Sequence, residues 1–327
     1  MKRNNLPKAL LQVQMAFLIS NLIWGAAGPV IKYTLDYIPP ATFVFIRLLL
    51  VGIIIFPYMI YELKKHDVHH SDYLNLFLLG VFSETTLLIT FWAINLSSAL
   101  DVTVIGVMGT ILTIYCGHYF FKEKVDRKIE IGLAFAILGT FIVIFEPILN
   151  IQAGTLSATE RVIGNLLAVL YNITWVIFVL WSKMVMGDKS TPLKKTLKFM
   201  HLKPMKYDYP PSLITGITFY VGVITVLPFA IYENISKPGL VDIMNIDYHG
   251  WIGLMYMVLL SSITAYTLHQ WALHKGSVTD SAVWAYTGTI FAFPVAYLLL
   301  GEVPNTYMLI GGLLIALGIL IAESRNT

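Results

Sequence analysis

The sequence predicts an all-α integral membrane protein, with ten transmembrane helices arranged as two inverted five-helix repeats. Three observations lead there. Of 327 residues, 57% are hydrophobic and only 13% charged, where a soluble domain carries roughly 25% charged residues. Ten apolar runs are each long enough to cross the roughly 30 Å of bilayer hydrocarbon. The two halves of the chain can also be laid over one another.

The first five runs are Leu10–Leu35, Ala41–Tyr61, Tyr73–Asn95, Asp101–Phe121 and Ile129–Glu146. The second five are Arg161–Val185, Ser212–Glu233, Gly250–Leu273, Thr279–Leu300 and Asn305–Ala322. Between them lie turn-forming residues: Pro39-Pro40, Asn150, Pro210-Pro211, Lys237-Pro238-Gly239 and Pro304-Asn305. Lys2, Arg3 and Lys8 resemble the start of a secretory signal, but the apolar run behind them is too long for one and reads as the first span.

Charge sets the expected orientation. With the N-terminus inside, eighteen of the 22 lysines and arginines fall on the inner side. Arg161 and Lys237 fall on the outer side, and Lys32 and Arg47 fall within spans. Both termini are then cytoplasmic. The net charge of +3 is too small to point to nucleic acid. The single Cys116 excludes an internal disulfide and reads as a packing residue.

The repeats are expected at 1–147 and 148–327, the second carrying an inserted cytoplasmic loop at 186–211. At an offset of 151, Asn21, Trp24 and Lys32 meet Asn172, Trp175 and Lys183. At 171, Pro39-Pro40 and Pro57 meet Pro210-Pro211 and Pro228. At 179, Trp92, Ser98, Asp101, Gly109-Thr110-Ile111 and Glu123 meet Trp271, Ser277, Asp280, Gly288-Thr289-Ile290 and Glu302. Five spans is an odd number, so the second unit enters the membrane upside down. Such inverted units are typical of transporters, because rocking one against the other exposes a central site to either side.

These residues also resemble a family. Trp24-Gly25 followed by Lys32, Arg47 in span two, Leu300-Gly301-Glu302 after span nine, and the pairs Gly132/Gly139 and Gly311/Gly318 are similar to motifs of the drug/metabolite transporter superfamily, EamA type. Lys122-Glu123 lacks the glycine of that loop in the first half, and Pro294 faces only Tyr115 in span four. The resemblance implies ten helices around a central cavity and export or exchange of amino acids, metabolites or drugs.

Several residues stand out as site candidates. Glu84 lies in the middle of span three, where a carboxylate must be protonated, paired or wetted. It either lines the cavity and binds a cationic group or a coupling proton, or is held by a neighbouring helix. Arg47 is permanently charged and either pairs with Glu84 or an anionic substrate, or snorkels to the headgroups. Trp24 and Trp175 sit mid-span, away from the interfaces that tryptophan favours. With Tyr171, Tyr266, Trp284 and Tyr286 they could wall a site or simply pack. His269, with His118 and His274, is a candidate for proton or substrate contact, or a hydrogen-bonded core histidine.

Pro29, after Gly25-Ala26-Ala27-Gly28, should kink span one as a gate. Small residues recur on one face of span four (Thr103, Gly106, Thr110, Thr113, Gly117) and of span nine (Ala282, Ala285, Thr289, Ala292, Ala296). Such stripes suit helix contact, or helices that border a cavity or slide during gating, with Gly28 and Gly106 as gating candidates, and both readings can hold at once. His66, His69 and His70 read as a solvated loop rather than a metal site. Lys189–Lys206 reads as an amphipathic helix along the inner headgroups.

The expected function is secondary transport of a small metabolite, amino acid or drug-like molecule by alternating access in the cell membrane. No Walker-type loop is present to drive it with ATP, so a proton gradient or exchange remains. The expected partners are the substrate, membrane lipids and protons, with no nucleic acid, cofactor or metal; the chain acts as a monomer or homodimer. The alternative is a membrane-embedded enzyme or a channel, but no nucleophile–base pair or HExxH motif supports an enzyme.

Overall fold

A computed structural model describes residues 6–122, 128–149, 156–187, 195, 196, 198, 205, 207–236 and 246–323. The described residues form ten helices and no strands. They are α1 (Leu6–Thr34), α2 (Pro40–Lys65), α3 (His70–Leu96), α4 (Ala99–Phe121) and α5 (Lys128–Leu149). The remainder are α6 (Ala158–Val185), α7 (Pro211–Ser236), α8 (Tyr248–Lys275), α9 (Val278–Leu300) and α10 (Thr306–Glu323). Among the described residues, nine helices have the length and apolarity to cross a membrane, and α10 carries a shorter apolar stretch, Thr306–Gly318. In hydrocarbon every backbone N–H and C=O must bond within the protein, so unbroken helices are the form such sequences can take. The protein is an all-α integral membrane protein.

The ends are set locally. Ser98, Ser157 and Ser277 cap α4, α6 and α9 by accepting the amide of the residue three positions on; Glu160 and Asp280 return the bond to complete capping boxes. Helix α4 stops at Lys122 with φ of 57°, and α9 stops at Gly301 with φ of 65°. Both α3 and α8 contain a π-helical segment, at Val81–Thr85 and Tyr256–Ala265. Helix α1 is continuous through Pro29.

Helix α5 packs along α10, α1 along α9, and α2 along α7. The α1–α9 contact is close because Gly25 and Gly288 meet there: a Cβ on Gly25 would overlap the Gly288 backbone. Phe17, Phe43, Phe91, Phe178 and Phe219 are fully buried in the interior. Outward faces carry Ile235, Ile290 and Leu298 in the open, the inverse of a soluble surface and the one that lipid requires.

Some expectations fall on undescribed residues: the charges of Lys2, Arg3, Lys124, Arg127, Lys237 and Arg325, the turns at Asn150 and Pro238-Gly239, and nearly all of the proposed Lys189–Lys206 helix. Tyr209, at the end of that insert, is tied to the start of α3. Its hydroxyl donates to Asp72 Oδ2 at 2.9 Å and accepts from the His69 amide at 3.2 Å. Burial beside that carboxylate pushes the Tyr209 phenol up to about 12. His66 lies 3.7 Å from Glu62, and His69 meets the Ser71 hydroxyl and the Tyr207 ring, so the three loop histidines do not converge.

Candidate functional site

A cavity of about 280 Å³ lies among α1, α2, α3, α4, α6, α8 and α9. One wall is aromatic. Trp24 and Trp175 meet edge to face with ring centres 5.6 Å apart, and Trp24 lies 6.2 Å from Tyr266 and 4.9 Å from His269. Much of the remaining lining is small, from Gly28, Thr103, Gly106 and Thr110 with Ala282, Ala285, Gly288 and Thr289. The small-residue stripes of spans four and nine thus border the cavity over part of their length. Ala292 and Ala296 continue as buried packing.

The π turns position the polar groups. In an ordinary helix each carbonyl is taken by the amide four residues on; a π turn shifts that ladder and re-aims side chains and carbonyls. The Ser261 carbonyl, within the π segment of α8, accepts Trp24 Nε1 at 3.1 Å. Next to it, Ser262 Oγ donates to Met257 O at 2.9 Å and accepts Arg47 Nε at 2.7 Å. Two sequence neighbours in one distorted turn therefore fix the tryptophan and the arginine.

Arg47 is only 3% exposed and lines the cavity. It does not snorkel to the headgroups. Its Nε is bonded to Ser262, and its two terminal amino groups have no protein hydrogen bond among the described residues. A guanidinium with four free N–H donors at the edge of a cavity is suited to a planar anion such as a carboxylate. His269 completes the wall, with Nε2 and Ser281 Oγ 2.8 Å apart.

Comparison with known proteins fits this architecture. The model of the EamA-like transporter family matches residues 12–145 and again 162–323. The chain belongs to the EamA-like transporter family. It is 22% identical to an uncharacterized transporter of Archaeoglobus fulgidus over 312 residues, covering 94% of this chain and 96% of that one. It is likewise 22% identical over 303 residues to a probable amino-acid metabolite efflux pump of Salmonella typhimurium, covering 92% and 91%. A protein of known crystal structure, 14% identical, superposes with a TM-score of 0.59 over 95% of this chain and 96% of its own, a likeness of fold alone. The protein is therefore a multi-pass membrane transporter of the EamA type, in the drug/metabolite transporter superfamily.

In this EamA-type transporter, Trp24, Gly28, Arg47, Gly106, Tyr171, Trp175, Tyr266 and His269 all line the one cavity. Four of the residues singled out in the sequence do not. Glu84 is fully buried behind the wall rather than on it. Trp284 turns away, and its indole donates to Gln14 Oε1. Tyr286 packs against a second apolar cluster formed largely by α4, α5 and α6. Pro29 is off the cavity wall. His118 and His274 are exposed, not core histidines.

Sequence reading passed over other groups. Asn21 and Asn172 line the cavity, although their match across the two halves, mid-span, was a usable signal. Arg161, expected in an outer loop, bonds both Asp101 Oδ2 and Glu146 Oε2 at 2.7 Å, and both carboxylates are fully buried. Glu302 reaches the start of α4, accepting the amides of Ala99 and Leu100 at 3.0 and 2.9 Å. Burial pushes its carboxyl up from the usual range, against the pull of those amides and of Lys32.

Proposed function

We propose that this transporter carries small carboxylate-bearing metabolites of the amino-acid type across the cell membrane, in export or exchange, by alternating access around this cavity. The observation that carries the reading is Arg47. A buried guanidinium held by one nitrogen, with its other donors facing a partly aromatic cavity, selects a carboxylate joined to a compact apolar body. The names of the Salmonella typhimurium relative and of a similar Escherichia coli protein, both probable amino-acid metabolite efflux pumps, point the same way.

Alternating access asks for two units that can rock against each other, here 1–147 and 148–327 in inverted orientation. Two facts support that division. The family model matches the chain twice. Lys32 and Lys183, equivalent across the halves, also make equivalent contacts: Lys32 Nζ donates to Ile94 O and Ser97 O, and Lys183 Nζ donates to Leu273 O and Gly276 O.

Counterflow into proteoliposomes tests the proposal. Loaded amino acids, keto acids and aromatic carboxylates should exchange with labelled compound outside, and small amines should not. Arg47→Gln should lower the exchange rate at least about tenfold, the loss of a charge-assisted contact of roughly 1.5–3 kcal/mol. Exchange of amines alone, or full activity of Arg47→Gln, would sink the carboxylate reading.

A further inference from the structure

Glu84 lies within the π turn of α3, fully buried and off the cavity wall. Its Oε1 accepts from Ser83 Oγ at 2.7 Å. Ser83 has a single hydroxyl hydrogen, used on Glu84, so in its contact with the Tyr266 hydroxyl it is the acceptor. The donors therefore run one way, from Tyr266 on the cavity wall through Ser83 to the carboxylate. The second oxygen, Oε2, is buried with no hydrogen-bond partner among the described residues. Around Glu84, α2 presents Arg47 and Leu48, α6 presents Tyr171, α7 presents Gly222 and α8 presents Tyr266. Among the described residues, Arg47 is the cation facing it.

Charge balance links the two groups. Arg47 keeps its proton at any physiological pH. A net charge in a buried pocket costs on the order of several kcal/mol. An empty cavity is balanced by ionised Glu84 near Arg47. A substrate carboxylate on Arg47 that brings no ammonium of its own leaves one negative charge in excess, and a proton on Glu84 removes it.

We propose that Glu84 is the proton-binding site of this transporter, loaded through Tyr266 and Ser83, and that it takes up one proton for each carboxylate bound at Arg47. The transfer balances: a hydronium ion reaching the cavity gives a proton to the Tyr266 oxygen and reverts to water, Tyr266 passes its own proton to Ser83, and Ser83 passes its own to Oε1. Both hydroxyls end neutral and reset by rotation. Glu84 thus serves the substrate without touching it. The inference rests on the reading of Arg47 as the anion site.

The test uses the full-length protein in detergent and 3-phenylpropionate, a carboxylate with an apolar body and no ammonium group. Binding is read by tryptophan fluorescence and calorimetry, and proton uptake by an indicator dye in lightly buffered solution near pH 7. Wild type should take up about one proton per probe bound, and its affinity should weaken by about tenfold per pH unit at the alkaline end. Glu84→Gln should bind the probe without proton uptake and with no pH dependence. Tyr266→Phe should reach the same uptake more slowly in stopped flow; an unchanged rate removes the route through Tyr266. Binding by wild type with no proton uptake overturns the coupling, whatever the variants do. Uptake that persists in Glu84→Gln assigns the proton elsewhere, with His269 on the cavity wall the first candidate, and also overturns it. If wild type does not bind the probe, or Arg47→Gln binds it equally well, the anion site itself is lost and the coupling with it.

Discussion

Lys32 and Lys183 lie inside apolar spans, yet each ammonium meets the last carbonyls of a neighbouring helix. Lys32 Nζ donates to Ile94 O at 2.9 Å and to Ser97 O at 2.8 Å, at the end of α3. Lys183 Nζ donates to Leu273 O at 3.0 Å and Gly276 O at 2.7 Å, at the end of α8. A helix end has four carbonyls without intrahelical partners and carries the negative pole of the dipole, so a lysine satisfies both. Methionine keeps most of the side-chain length and removes the donors. Lys32→Met and Lys183→Met should therefore each lower stability by about 1–3 kcal/mol, seen as a lower thermal midpoint in detergent. A midpoint equal to wild type in both would mean that these bonds contribute nothing net. The sequence marked both lysines as equivalent but not what they do. Their acceptors lie on spans far along the chain, and only the packing brings the groups together.

Helix ends were legible where the signal is local. Ser98 and Ser277, matched across the halves together with an acidic residue three positions on, turn out to cap the starts of α4 and α9. The stop of α4 carries a cost. Lys122 adopts φ of 57°, the left-handed conformation in which a side chain crowds its own backbone, while the equivalent Gly301 adopts φ of 65° without that penalty. Lys122→Gly should raise stability by about 1 kcal/mol, and a denaturation series should show it without loss of transport. No gain would mean that the left-handed conformation of Lys122 carries no net cost. The π turns were not legible. One extra residue in a helical turn leaves no trace in hydropathy, and α3 and α8 read as plain apolar runs. The place of Glu84 depended on that turn: at the middle of a span it reads as a cavity residue, but its rotation about α3 puts it behind Tyr266 and against Gly222.

Across the whole molecule, the bilayer made the fold readable. A span expected at Thr279–Leu300 is found at Val278–Leu300, and one expected at Arg161–Val185 at Ala158–Val185, because hydrocarbon thickness and capping fix the same ends. The aromatic wall was legible for a similar reason: a mid-span tryptophan such as Trp24 needs a partner, and Ser261 O supplies it. Orientation is a property of the whole chain and has its own test. Lysines and arginines concentrate on one side of the ten helices, and that bias sets which side stays in the cytoplasm. Lys64, at the end of α2, and Lys195, in the insert after α6, should both be cytoplasmic, and Asp247, before α8, should be external. In a Cys116→Ala background, cysteines replacing Lys64 and Lys195 should resist an impermeant thiol reagent in intact cells and react after permeabilisation. A cysteine replacing the exposed Asp247 should react at once. Labelling of Lys64→Cys and Lys195→Cys with protection of Asp247→Cys would invert the molecule. Labelling of only one of the two lysine positions would mean that the number of crossings between them is odd rather than four, and the equivalence of the two halves would fail with it.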